Sequence, residues 1–91
     1  MSKTVRIPAA LRKLTRNHDV VRVQARTISD LVKELDSLYP GIRERLIDDS
    51  GDVRRFVNVF VNEEDIRFLQ NQRTQLKDGD EISIIPAIAG G

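Results

Sequence analysis

The sequence closes on Pro86-Ala87-Ile88-Ala89-Gly90-Gly91, a small and apolar run that carries no charged side chain and finishes in a Gly-Gly carboxylate. Chain ends fray and are ordinarily polar, so fraying explains poorly why Ile88 sits in such an arm. The usual reactive side chains are scattered. His18 is the only histidine and has no second ligand type at metal-binding spacing, which makes it a loop histidine. Glu63-Glu64-Asp65 is acidic but lacks calcium-loop spacing and reads as a solvated turn. Arg12, Lys13 and Arg16 form a small basic cluster that could touch phosphate or an acidic partner, though in a chain of balanced charge a solvated loop is the better reading. Ser2, Ser29, Ser50 and Ser83 have no histidine-centred triad available, and no glycine-rich phosphate loop is present. Cysteine is absent, which removes disulfides, thiolate-bound metals and a thiol nucleophile. The residues offer no recognisable catalytic, metal-binding or cofactor-binding constellation.

Composition agrees. The chain has 91 residues with 15 Lys/Arg against 14 Asp/Glu, a formal charge of +1. That length makes one small domain, which buries roughly 60–65% of its unfolded surface and has no room for a deep catalytic cavity. Without an uncompensated basic surface, nucleic acid is not an expected partner. Met1-Ser2-Lys3-Thr4 leads straight into an alternating segment with no apolar signal-like core, and no run approaches the roughly 18 apolar residues of a membrane helix. The expected compartment is the cytoplasm, with no membrane partner.

The elements that must hold out such an end follow from periodicity. Lys3–Pro8 alternates, with Val5 and Ile7 on one face, and Pro8 stops it. Ala9–Asn17 is a connecting loop or a single helical turn. Asp19–Ala25 alternates again, with Val21, Val23 and Ala25 opposite Val20, Arg22 and Gln24, so the two segments form a hairpin. Thr27 followed by Asp30 resembles a helix N-cap. Ile28, Leu31, Val32, Leu35 and Leu38 then make an amphipathic stripe that Pro40-Gly41 ends. Ile42, Leu46 and Ile47 suggest a second short helix, and Asp48–Asp52 is a turn cluster. Val53–Val61 reads as the strongest strand, Asn62–Asp65 as a turn and Ile66–Leu69 as a short edge strand. Asn71–Lys77 is loop, Lys77–Asp80 a tight turn with Gly79 at positive φ, and Glu81–Ile85 the last strand. One helix covers only one face of such a sheet. The faces carrying Val5, Val21, Val57 and Ile82 should pack on the helical stripe, leaving Arg6, Arg22, Arg54, Phe56, Phe60 and Ile85 on the opposite face.

Together these residues resemble the ThiS/MoaD family of sulfur carriers. The resemblance lies in Leu76-Lys77-Asp78-Gly79-Asp80-Glu81-Ile82, in Ile84-Ile85-Pro86, in the terminal Gly90-Gly91, and in the strand Phe56–Asn62. It is similar to the CysO-type branch, which serves cysteine biosynthesis, in Ile7-Pro8 with Leu11-Arg12, in Gly41–Leu46, in Val61–Phe68 and in Pro86–Gly91. The fold this implies is α+β, the ubiquitin-like β-grasp: a mixed four- to five-stranded sheet packed on one main helix. Residues 1–86 would form the domain and 87–91 a flexible tail.

The resemblance also implies a chemistry. The Gly91 carboxylate would be adenylated with ATP by an E1-like partner enzyme, and sulfur from a persulfide donor would replace AMP to leave a thiocarboxylate. Gly90, Ala89, Ile88 and Ala87 would enter the partner's active site, where a Cβ at position 90 or 91 would obstruct a narrow channel. Phe60, Ile85 and Phe56, rimmed by Arg6, Arg22 and Arg54, would be the docking patch, since an aromatic centre with an arginine rim is a common interface composition. The implied acceptor is a PLP-dependent cysteine synthase, with a C-terminal hydrolase as a further partner. The alternatives are a small subunit of a molybdopterin-synthase-like complex and a ubiquitin-like modifier. In none of these is the chain itself an enzyme.

Overall fold

Thr27 starts the main helix as its sequence requires. Its backbone is extended (φ −137°, ψ 166°), and its Oγ1 accepts a hydrogen bond from Asp30 N, 3.1 Å away, so one orphan N–H of the first turn is satisfied. The computed structural model describes residues 2–86. Helix α1 spans Ile28–Leu38 and buries Ile28, Leu31, Val32 and Leu35. Leu38, expected to close the stripe, is 46% exposed, and Tyr39, beyond the last turn, fills the core in its place. Gly41 (φ +101°) reverses the chain into the short helix α2, Ile42–Leu46. Asp36 Oδ1 holds the corner, accepting from both Gly41 N and Arg43 N at 3.1 Å.

The described residues form one five-stranded sheet in the order β2-β1-β5-β3-β4. Its strands are β1 Lys3–Arg6, β2 Val20–Val23, β3 Val57–Val61, β4 Glu64–Asp65 and β5 Glu81–Pro86. β1 and β2 pair antiparallel, with Val5 opposite Val21. β5 lies parallel to β1 and antiparallel to β3, so the last strand occupies the middle of the sheet. The α+β class, the mixed sheet and the single main helix are those expected.

Alternation seals one face. Val5, Ile7, Val21, Val23, Val57, Val59, Val61, Ile82 and Ile84 are all buried in the cluster that also holds Ile28, Leu31 and Leu35. Each large side chain taken fully from water contributes roughly 1.5–3 kcal/mol, so this set accounts for the domain's cohesion.

Two strand expectations need correction. The segment expected as a strand over Val53–Val61 pairs only from Val57, because Val57 stands opposite Pro86, where β5 ends. Val53 instead makes an isolated bridge with Ile47, and Arg54–Val57 is a turn closed by Val57 N to Arg54 O at 3.0 Å. The edge strand expected at Ile66–Leu69 lies earlier, at Glu64–Asp65. Asn62 and Glu63 both take positive φ, 49° and 74°, which reverses the chain within two residues and returns it at once alongside β3. Ile66–Phe68 then forms a 3-10 turn, capped by Asp65.

Candidate functional site

Strand pairing fixes what shares the outer face. One row across the sheet runs Val20, Arg6, Ser83, Phe60 and Asp65. The next row towards the end of β5 holds Ile85 opposite Asn58, and the row on the other side holds Arg22, Thr4 and Glu81. Val20 is 48% exposed and Ile85 49%, while Phe60 is half-buried. Phe60 and Ile85 therefore share a face as diagonal neighbours, Ile85 standing two residues along β5 from Ser83, the partner of Phe60. Arg6 and Arg22 lie on the same face, towards β2.

Arg6 does not stand free. Its Nε donates to Glu81 Oε1 at 3.0 Å, and both side chains are at least half exposed, so the pair contributes little to stability and remains open to exchange.

The remaining two patch residues are placed differently. Arg54 is not on the sheet face. Its N–H donates to Leu46 O at 2.9 Å and its Nε to Glu44 O at 2.8 Å, which ties it to the end of α2. Strand parity does not reach it, since the strand begins three residues later. Phe56 is 50% exposed but belongs to the turn before β3, so sheet parity does not set its direction.

Two residues on or beside this face were not singled out by the sequence reading. Val20 was placed on the polar side of β2 by alternation alone, and its exposure beside Arg6 makes it part of the apolar surface. Arg67 reaches in from the 3-10 turn after β4, donating through Nη2 to Asn58 Oδ1 at 2.9 Å and to Val57 O at 3.2 Å. Arg67 thus supplies the arginine rim on the β3 side that Arg54 was expected to supply. No local signal marks it, because the contact joins residues nine and ten positions apart across a turn.

Gly91, Gly90, Ala89, Ile88 and Ala87 lie outside the described residues. What the structure gives is where the chain heads: β5, hydrogen-bonded on both sides, carries it to Pro86 at the edge of the outer apolar surface. Elsewhere, His18 Nδ1 lies 3.1 Å from Tyr39 Oη, with the rings edge-on, a packing role for a loop histidine. Among the described residues no group of three or more His, Cys, Asp or Glu is placed to hold a metal ion, and no helix is long and apolar enough to cross a membrane.

Known proteins share this fold. The sulfur carrier protein CysO of Mycobacterium tuberculosis is 43% identical over 93 aligned residues, covering all of both chains. The crystal structure of M. tuberculosis CysO superposes with a TM-score of 0.90 at 41% identity, over 94% of this chain and 99% of that one. The crystal structure of an Amycolatopsis orientalis BexX/CysO complex contains a chain that superposes with a TM-score of 0.92 at 38% identity, over 98% of this chain and 99% of that one. Residues 5–91 match the ThiS family, so the match runs from β1 through β5 to the Gly-Gly end, and the chain belongs to the ThiS family.

Proposed function

We propose that this chain is a sulfur carrier whose reactive group is the Gly91 carboxylate, serving cysteine biosynthesis. The observation that carries the reading is full-length similarity to CysO at 43% identity in a family match that includes Gly90 and Gly91. The chemistry fits a domain with no catalytic constellation. A carboxylate is a poor electrophile until its oxygen is made a leaving group. An E1-like adenylating enzyme supplies ATP, the Gly91 carboxylate attacks the α-phosphorus, and pyrophosphate leaves. A persulfide then attacks the acyl-adenylate carbonyl and expels AMP. A thiol opens the resulting acyl disulfide, keeping the donor's other sulfur in a disulfide and leaving the thiocarboxylate on Gly91. The carrier needs neither a pocket nor a cofactor for these steps, because ATP and its metal belong to the partner.

Three parts of the chain have distinct roles. Ala87, Ile88, Ala89 and Gly90 enter the partner's active site, with glycine giving the narrowest cross-section next to the reacting carbon. Phe60 and Ile85 dock the domain through the apolar part of the outer face, with Val20 extending it and Arg6, Arg22 and Arg67 around it. The sealed inner face holds the domain together. BexX of A. orientalis forms a complex with CysO, which supports protein partners for this chain too. A PLP-dependent cysteine synthase takes the sulfur. Once the acceptor is joined through the acyl group, a C-terminal hydrolase releases the product.

Intact mass after incubation with an adenylating partner, ATP and a persulfide donor tests the reading. The expected result is one oxygen replaced by one sulfur, lost when Gly91 is deleted. Adding O-phosphoserine and a cysteine synthase should then give a cysteine adduct at Gly91, and a C-terminal hydrolase should release cysteine from it. Ladders of higher-mass protein conjugates would identify a modifier instead, and no mass change under any loading condition would rule the carrier reading out.

A further inference from the structure

Next to Pro86 the outer face runs into a shallow groove of about 280 Å³, bounded by Pro8, Val20, Ile85 and Pro86 and reached by Arg12 and Asp19. Arg12 is the unusual member. Its Nε is buried and has no hydrogen-bond partner among the described residues. Among the described residues no carboxylate lies within ion-pair distance of its guanidinium, Asp19 included. Its backbone is fixed, with helical φ and ψ of −64° and −26°. Its carbonyl accepts from Thr15 N at 3.1 Å and Asn17 N at 2.8 Å. A buried donor that no described protein group satisfies is costly in the free domain.

The position of the groove says what covers it. Gly91 is the fifth residue after Pro86, a reach of at most about 17 Å when fully extended. An enzyme that acts on Gly91 therefore lies close over the domain surface at Pro86, and this groove is part of that surface. We propose that Arg12 receives an Asp or Glu side chain of the adenylating partner, which enters the groove beside the root of the tail. A carboxylate is the fitting group because its two oxygens match Nε and one terminal nitrogen side by side, and a small rotation about the unbranched side chain turns Nε towards it. This rests on the sulfur-carrier reading and adds a charged anchor to the apolar docking patch. Arg12 is a positioning residue: it orients the carrier and touches no reacting atom.

Steady-state pyrophosphate release, with the adenylating enzyme fixed, the persulfide donor and a thiol saturating and the carrier varied, tests it. Arg12→Gln should raise KM by roughly ten- to a hundredfold, the range of a charge-assisted hydrogen-bonded pair, and leave kcat within about twofold. Arg12→Lys should recover only part of the loss, since an ammonium lacks the planar fork. Lys13→Gln, a charge change one residue away, should have no effect. Equal KM for Arg12→Gln and wild type, or equal effects of Arg12→Gln and Lys13→Gln, would overturn the proposal. A wild-type carrier that releases no pyrophosphate would overturn the carrier reading itself. The Arg12 Nε–Hε resonance of the unmutated protein, followed by nuclear magnetic resonance, guards against a folding artefact. It should shift on adding the enzyme. A resonance that stays still with the enzyme bound, moves instead on deletion of residues 87–91, or moves with carrier concentration alone would overturn the proposal, the last two by assigning the groove to the chain's own tail or a second copy.

Discussion

The two faces of the sheet are built from the same strands and serve opposite ends. On the inner face Val5, Val23 and Ile82 are 0% exposed and Ile84 is 3%, all packed against the stripe of α1. On the outer face the next residues along the same strands leave Val20 and Ile85 about half exposed, beside a half-buried Phe60 and exposed arginines. Apolar area contributes to folding only where it leaves water, so the outer residues are apolar without much benefit to the free domain. The difference teaches that fold and docking occupy alternating positions of one sheet, and a substitution can reach one without the other.

Ile82→Ala should break the inner face most severely, with a loss of about 2–5 kcal/mol, read as a fall in urea midpoint at unchanged slope. Such a loss is a large part of the roughly 5–15 kcal/mol stability of an ordinary domain. Ile85→Asp should do the reverse. Loading efficiency falls by at least about tenfold, equivalent to roughly 1.4 kcal/mol, while stability changes by about 1 kcal/mol or less. If Ile85→Asp melts the domain as Ile82→Ala does, the two faces are not independent. Thr27→Ala removes the cap of α1 and should cost about 1 kcal/mol without altering loading by the folded fraction. Glu81→Gln, which dissolves the exposed pair with Arg6, should change stability by less than about 1 kcal/mol. It sharpens the comparison by testing whether a freed Arg6 alters the salt dependence of loading.

Much of the inner face was legible beforehand, for local reasons. Thr27 and Asp30 mark a cap, Ile28 to Leu35 recur at helical spacing, and alternation in each strand identifies the buried side. The errors share a cause. Parity continues only as long as the strand does, and where a strand stops depends on whether a neighbour is there to bond. Val57 meets Pro86 at the end of β5; Arg54 meets nothing in β5 and bonds to α2 instead. Ile66 looked like the start of an edge strand because it is apolar, but the reversal at Asn62-Glu63 had already placed Glu64–Asp65 there.

The sequence by itself determined the element types, the buried stripe and the small apolar end with its paired glycines, because cap chemistry, side-chain period and backbone freedom are properties of neighbouring residues. It also carried the family resemblance along the whole chain. Tertiary structure alone decided that the last strand lies between β1 and β3, that Arg67 replaces Arg54 at the rim, and that Arg12 Nε is left without an acceptor among the described residues. Each of these depends on contacts between residues distant in the chain, and pairing across such distances is set by the packed sheet and not by local pattern.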